Sequence, residues 1–232
     1  MLAVGVVLLT GSVYAQEPQS SLSIPSIVTR GEAVIKRAPD RAFVVAAVET
    51  RAKTPREAQQ LNATAMTAVQ QRLTTVGVAR DAIRTLGYTV QPQYDFANGR
   101  RTLRDYLARN SVEVRLDDVA RVGEIADVAV QGGATNISEI RFDLKDRAGA
   151  EREALRLAVQ DARARADAAA MGAGRVVDRV LRIDDARDVE TPRPYMAVRG
   201  MANAAADQAA PTPIEAGELE IRAHVTLTVG IK

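Results

Sequence analysis

The sequence predicts an α+β fold, with a mixed, largely antiparallel sheet, about three helices and one long β-hairpin. Paired strands and hairpins alternate with isolated helices along the chain, which is the order typical of α+β domains. The last strand alternates between apolar and polar side chains from Leu219 to Val229, as a sheet with one buried face requires. A long Ala- and Arg-rich helix ends near Met171, and its small side chains predict close packing on the sheet.

The first elements are two strands and a capped helix. Residues 27–35 and 43–50 are rich in apolar side chains and predict strands separated by a turn at 38–40. Thr54-Pro55-Arg56-Glu57 is a capping box with proline at the first helical position, and Gly77 ends the helix. The apolar face of this helix is expected at Ala58, Leu61, Ala65, Val69 and Leu73.

A long hairpin is expected from residues 83–94 and 103–116, because Asn98-Gly99 between them is a strong turn signal. The hairpin carries four aromatic side chains, which form the candidate interaction surface of the protein: Tyr88, Tyr94, Phe96 and Tyr106. Exposed aromatic side chains on a hairpin are typical of a partner-binding surface. A small cluster that only stiffens the hairpin is the alternative.

The second half begins with a helix at 119–130, capped by Asp117 or Asp118, and a strand at 137–144. Asp146 caps the long helix, and a strand at 176–183 follows. The inner stripe of the long helix is expected at Leu155, Val159, Ala162, Ala166 and Ala169. Residues 186–216, rich in Pro and Ala, are expected to form a long mobile loop before the last strand.

The N-terminus predicts export. Residues 2–10 form an apolar run too short to span a bilayer, and Val13-Tyr14-Ala15 places small residues where a signal peptidase reads. We therefore expect a signal peptide at 1–15, a linker at 16–25 and one domain at 26–232. No Lys or Arg precedes Arg30, which suggests that translation starts a few codons upstream. No later stretch predicts a transmembrane span.

Composition excludes several classes of function. The chain has no cysteine, which excludes disulfides, thiol catalysis and Cys-based metal sites. Its net charge is only +2 and its arginines are interleaved with acids, whereas nucleic-acid binders concentrate their basic residues. The chain is therefore not expected to bind nucleic acid.

Few residues suggest chemistry. His224 is the only histidine and is expected on the solvent face of the last strand. The acidic pairs Asp184-Asp185 and Glu218-Glu220 could in principle work as acids and bases, but carboxylates at strand ends usually face solvent. Gly132-Gly133 lacks the lysine and hydroxyl residue of a phosphate loop and predicts a turn. We predict no catalytic, cofactor-binding or metal-binding residue, and no enzymatic activity.

Seven segments, in order and spread over nearly the whole mature chain, resemble the SIMPL-domain (YggE-like) family. They are residues 28–33 (VTRGEA), 38–42 (APDRA), 85–92 (TLGYTVQP), 106–114 (YLARNSVEV), 132–142 (GGATNISEIRF), 158–166 (AVQDARARA) and 212–218 (TPIEAGE). The resemblance implies a periplasmic α+β protein of unassigned biochemistry that forms homo-oligomers and is associated with envelope stress. The family has no agreed catalytic residues to carry over.

Two functions remain open on this basis. The first is a non-enzymatic periplasmic protein that self-assembles. The second is a binding module that contacts a ligand or protein through the hairpin or the 186–216 loop. A third, less favoured reading is an enzyme that uses carboxylates and arginines. No protein partner other than a second copy is identified by the sequence.

Overall fold

A computed structural model of the protein describes residues 24–97, 99–186 and 212–232. The elements in chain order are β1 (Ser26–Arg37), β2 (Arg41–Ala52), α1 (Pro55–Thr75), β3 (Ile83–Ala97), β4 (Arg100–Leu116), α2 (Val122–Gln131), β5 (Asn136–Asp143), α3 (Arg147–Gly172), β6 (Val177–Ala186) and β7 (Leu219–Ile231). This confirms the α+β class and the predicted order of elements. The expected signal peptide, Asn98 and residues 187–211 of the expected loop lie outside the described residues.

The strands form two antiparallel sheets, a division that the sequence did not indicate. The first sheet has the order β1-β7-β6, and the second has the order β3-β4-β2-β5. The first sheet joins distant parts of the chain, since Ile27 of β1 pairs with Val229 of β7. The second sheet is built from consecutive chain between β2 and β5.

Helices α1 and α2 cover one face of the second sheet and enclose the larger core. Thr54 caps α1 by accepting a hydrogen bond from the Glu57 N–H, as the capping box predicts. Buried side chains of α1 include Met66, Val69 and Leu73, which pack with Val112 and Val114 of β4. The same cluster contains alternate residues of β2, so one face of that strand points at the helices.

The buried face of α1 differs from the prediction by a small rotation. Leu61 was expected inside but is 48% exposed, whereas Asn62 is fully buried. The Asn62 amide donates to the carbonyl oxygens of Val48 at 2.9 Å and Ala108 at 3.1 Å, on neighbouring strands. These two hydrogen bonds satisfy the NH2 group of the amide, whereas its Oδ1 atom is buried without a hydrogen-bond partner among the described residues.

Helix α3 packs on the first sheet through alanines spaced four residues apart. All six are buried: Ala150, Ala154, Ala158, Ala162, Ala166 and Ala170. The prediction was correct for Ala162 and Ala166 and wrong for Ala169, which is exposed, while Leu155 and Val159 flank the stripe. Because alanine side chains are short, the helix backbone approaches the strands closely.

Gly31 of β1 makes this close approach possible. A Cβ atom at this position would overlap the carbonyl oxygen of Ala158 and the nitrogen of Ala162, and would lie 2.7 Å from the Ala162 Cβ. Next to it, the Thr29 hydroxyl donates a 2.8 Å hydrogen bond to the Ala162 carbonyl oxygen. Any side chain at position 31 therefore pushes α3 away from the sheet.

The chain that enters β7 is anchored on α2. Thr212 donates two hydrogen bonds to Asp127, from its hydroxyl at 2.7 Å and from its backbone N–H at 3.1 Å. These bonds, that from the hydroxyl first, lower the pKa of the Asp127 carboxyl. The Thr212 carbonyl lies against Gly123, and Ile214 packs on the larger core. The C-terminal end of the segment expected to be mobile is therefore held by specific contacts.

Among the described residues, no helix is both long enough and apolar enough to cross a membrane.

Candidate interaction surface

The β3–β4 hairpin extends past the rest of the second sheet. Strand β2 pairs with β4 only as far as the Ala52–Tyr106 pair. Beyond that pair, Gln93–Ala97 and Arg100–Asp105 pair with each other alone. We call this two-stranded extension the ribbon. Isolated two-stranded hairpins are marginally stable in water, so the ribbon depends on its own side-chain contacts.

The four candidate aromatic side chains lie on one face of the hairpin. Tyr88, Tyr94 and Phe96 lie an even number of positions apart on β3, so their side chains point to the same face. From Gly87 onward β3 pairs regularly with β4, apart from a bulge at which β4 has one extra residue, Arg104. Tyr106 is paired directly with Pro92, which lies in the same alternate series. The structure thus places on one face the set that the sequence singled out.

The four aromatic side chains differ in how much of each is exposed to solvent. Phe96 is 78% exposed, the highest value among large apolar side chains of the described residues, and Tyr88 is also exposed. Tyr94 and Tyr106 are half-buried. The Arg101 guanidinium stacks 3.5 Å from the centre of the Tyr94 ring, a cation–π contact across the ribbon. Tyr94 therefore makes a contact within the ribbon, whereas Phe96 and Tyr88 remain exposed.

The opposite face of the ribbon is polar and internally paired. Arg104 forms ion pairs with Asp95 at 3.3 Å and with Asp105 at 3.2 Å. The Lys53 ammonium donates to the Arg104 carbonyl oxygen at the base of the ribbon. The ribbon is therefore amphipathic, with one ion-paired face and one aromatic face.

A second surface, which the sequence did not indicate, is the free edge of β6. Among the described residues, α3 packs mainly over β1 and β7 and leaves β6 largely uncovered. Three apolar side chains of β6 are exposed: Val180, Leu181 and Ile183. A strand with one buried face alternates strictly between apolar and polar residues, and the sequence of β6 does not alternate in this way.

The other sheet edges carry features that discourage strand pairing. At the edge of β1, the Glu32 N–H already donates to the Asp161 carboxylate on α3 at 3.1 Å. Strand β3 contains Pro92, which has no N–H to donate, and β5 is only 8 residues long. The edge of β6 also has two register irregularities, between Val177 and Arg179 and between Val180 and Arg182, but its exposed Val180, Leu181 and Ile183 lie close together in the chain.

The histidine and acidic residues considered as catalytic candidates lie apart from one another or form ion pairs with arginines. His224 is half-buried on β7 opposite Glu32, beside an open depression of about 420 Å³ that Arg30 and Arg165 also line. Glu220 accepts a 2.6 Å hydrogen bond from Arg222, which lowers its pKa, with a smaller contribution from Lys36. Asp184 is paired with Arg182 at 2.7 Å.

No group of three or more His, Asp or Glu side chains within the described ranges is placed to hold a metal ion. Gly133 has a positive φ of 111° and lies in the turn between α2 and β5, as predicted. The described residues thus define an α+β protein of two antiparallel sheets. Its distinctive features are two surfaces, the aromatic face of the hairpin and the edge of β6.

The chain belongs to the SIMPL family, described as proteins of unknown function (DUF541), which matches residues 27–229. It is 30% identical to the 26 kDa periplasmic immunogenic protein of Brucella melitensis over 226 residues, covering 94% of this chain and 90% of the relative. The Brucella abortus protein of the same name shows the same identity and coverage. Similarity to the uncharacterized protein YggE of Escherichia coli is 28% over 116 residues, covering 50% of this chain and 47% of YggE.

Proposed function

We propose that this SIMPL-family protein is a non-enzymatic periplasmic protein that self-assembles, with a role in envelope stress. Support for the compartment comes from the apolar N-terminal run and from the Brucella relatives, which are named periplasmic. Support for the absence of enzymatic activity comes from the paired state of Glu220 and Asp184 and the isolation of His224.

The observation that carries self-assembly is the apolar edge of β6. An edge strand with exposed apolar side chains is a template for pairing with another chain, and folded proteins normally protect such edges. Val180 and Ile183 pair with Val229 and Leu227, so both extend the face of the sheet on which α3 packs. A strand from a second copy would continue the sheet and cover these side chains.

The test is the solution mass of the mature protein by multi-angle light scattering. Wild type should run as a multiple of the monomer mass. The V180K/I183K double variant should run as a monomer, because assembly would bury the two introduced lysines in the interface between copies. The matched control, L61K/V130K, places two lysines at similarly exposed apolar positions on α1 and α2 and should assemble as wild type does. A monodisperse wild-type monomer at micromolar concentration would reject self-assembly.

The aromatic face of the hairpin is the alternative contact surface between copies. If V180K/I183K still assembles while Tyr88→Ser with Tyr94→Ser does not, the contact lies on the hairpin instead of β6. If neither pair of changes reduces the mass of an assembled wild type, both contact surfaces are rejected.

The second candidate function is a periplasmic binding module that acts through the hairpin or the 186–216 loop. The specific observation that favours it is Phe96, whose side chain is 78% exposed near the end of the projecting ribbon. A monomeric wild type would favour this reading over self-assembly.

A further inference from the structure

The end of the ribbon combines exposed apolar side chains with cationic ones. Phe96 pairs with Arg101, and Tyr94 pairs with Leu103, which is 49% exposed. Directly paired residues lie on the same face, so these four side chains form one small patch. Arg100 lies beside the patch at the start of β4 and is exposed. We call these five residues the ribbon tip.

The two arginines of the ribbon tip retain their charge for an external partner. Within the described ranges, the acidic residues of the ribbon, Asp95 and Asp105, form ion pairs with Arg104, and Asp105 also pairs with Arg51 at 3.8 Å. Arg101 lies over the Tyr94 ring, and a cation–π contact does not neutralise its charge. Because the whole chain has a net charge of only +2, the positive charge of the tip is a local feature.

We propose that the ribbon tip binds the surface of an anionic phospholipid membrane. Phe96 and Leu103 would enter the boundary between headgroups and acyl chains, while Arg100 and Arg101 would bind headgroup phosphates. Aromatic and apolar side chains with Arg101 on the same face, and Arg100 at the end of the ribbon, match the two parts of that interface. A guanidinium group is suited to phosphate because it donates two parallel hydrogen bonds.

The size of the patch favours a lipid surface over a protein. A stable protein interface buries about 800 Å² on each partner, usually on a broad surface. The ribbon tip offers a few side chains at the end of two strands that extend beyond the sheet. Shallow insertion into a membrane needs no complementary pocket and is compatible with such a narrow projection. The proposal does not depend on self-assembly through β6.

Vesicle flotation of the mature full chain tests the proposal. The protein should float with vesicles of equal parts phosphatidylglycerol and phosphatidylcholine, and not with vesicles of phosphatidylcholine alone. The R100Q/R101Q variant should bind the anionic vesicles about 30-fold more weakly at low salt, as expected for two basic side chains at an anionic surface. R80Q/R175Q, which removes two other exposed arginines, should bind as wild type does.

A fluorescence measurement locates the contact. The chain contains no tryptophan, so Phe96→Trp introduces a single reporter at the tip. Its emission should shift to shorter wavelength with anionic vesicles, whereas Leu61→Trp on α1 should show no shift. Absence of wild-type flotation, equal binding to neutral vesicles, or an unshifted F96W emission would each overturn the proposal. If vesicles do not bind and Phe96→Ser lowers the solution mass, the tip contacts a second copy instead.

Discussion

Replacing Gly31 by alanine tests how tightly α3 is seated on the first sheet. The added methyl group would overlap two backbone atoms of α3 and lie 2.7 Å from the Ala162 Cβ. Backbone atoms cannot move aside as the end of a flexible side chain can, so the whole helix must shift. The shift would also lengthen the 2.8 Å hydrogen bond from Thr29 to the Ala162 carbonyl.

The cost follows from these two effects. Overpacking a close-packed core typically costs about 1–3 kcal/mol, and losing one hydrogen bond adds about 1 kcal/mol. We expect the free energy of unfolding to fall by about 3 kcal/mol, because the obstructing atoms belong to the helix backbone. For a domain of this size the melting temperature should fall by roughly 6–12 °C.

Thermal unfolding followed by circular dichroism measures the change, with Gly87→Ala as the matched control. Gly87 also lies in a strand, but a Cβ there would meet its nearest neighbour, the Ser111 hydroxyl, at an ordinary 3.8 Å. The control should melt within a few degrees of wild type. If Gly31→Ala melts as the control does, the helix is not seated on the glycine as described.

Three further predictions concern the alanine stripe, the Asp127 contact and export. Ala162→Leu should destabilise the protein by about 1–3 kcal/mol through overpacking, whereas Ala164→Leu on the exposed side of α3 should not; equal melting temperatures would show that the stripe is not buried. The lowered pKa of Asp127 means that its contact with Thr212 stabilises the fold above the unfolded-state pKa and is lost as pH falls through the folded-state pKa. The urea midpoint of Asp127→Asn should therefore depend less on pH in the acid range than that of wild type, and parallel curves would contradict this. Mass spectrometry of the periplasmic fraction should find a chain starting at Gln16, and an intact Met1 chain in the cytoplasm would exclude export.

Local signals predicted the elements well because their causes lie within a few residues. Thr54 and Asp146 each accept a hydrogen bond from the first turn of their helix, as the sequence indicated. Gly77 and Gly99 have positive φ angles of 90° and 72°, where a helix end and a turn were expected. These features depend on backbone geometry that neighbouring residues determine.

Features that depend on distant partners were not predictable in the same way. The apolar spacing of α1 indicated Leu61 as buried, but Asn62 took that place, and carbonyl groups of β2 and β4 accept hydrogen bonds from its NH2 group. Nothing local to Gly31 specifies that α3 will lie against it. The exposed edge of β6 was also hidden, since its apolar residues match those of a buried strand.

The aromatic set on the hairpin falls between these cases. Its four members were identified from their positions on the two arms, and the structure places them on one face. The sequence could not assign their separate exposures, because these depend on where β2 ends beside β4. The division into a stacked Tyr94 and a free Phe96 required the cross-strand register.

The pairing of β1 with β7 also has a consequence for the time course of folding. The chain is made from its N-terminus, so β1 is synthesised long before its partner strand β7. Ile27 of β1 cannot pair until Val229 of β7 has been made. At ordinary rates of synthesis the delay is roughly 10–40 s. The second sheet, drawn from consecutive chain, has all of its strands in that interval. The first sheet can therefore close only after almost the whole chain has been made, whichever side of the membrane it folds on.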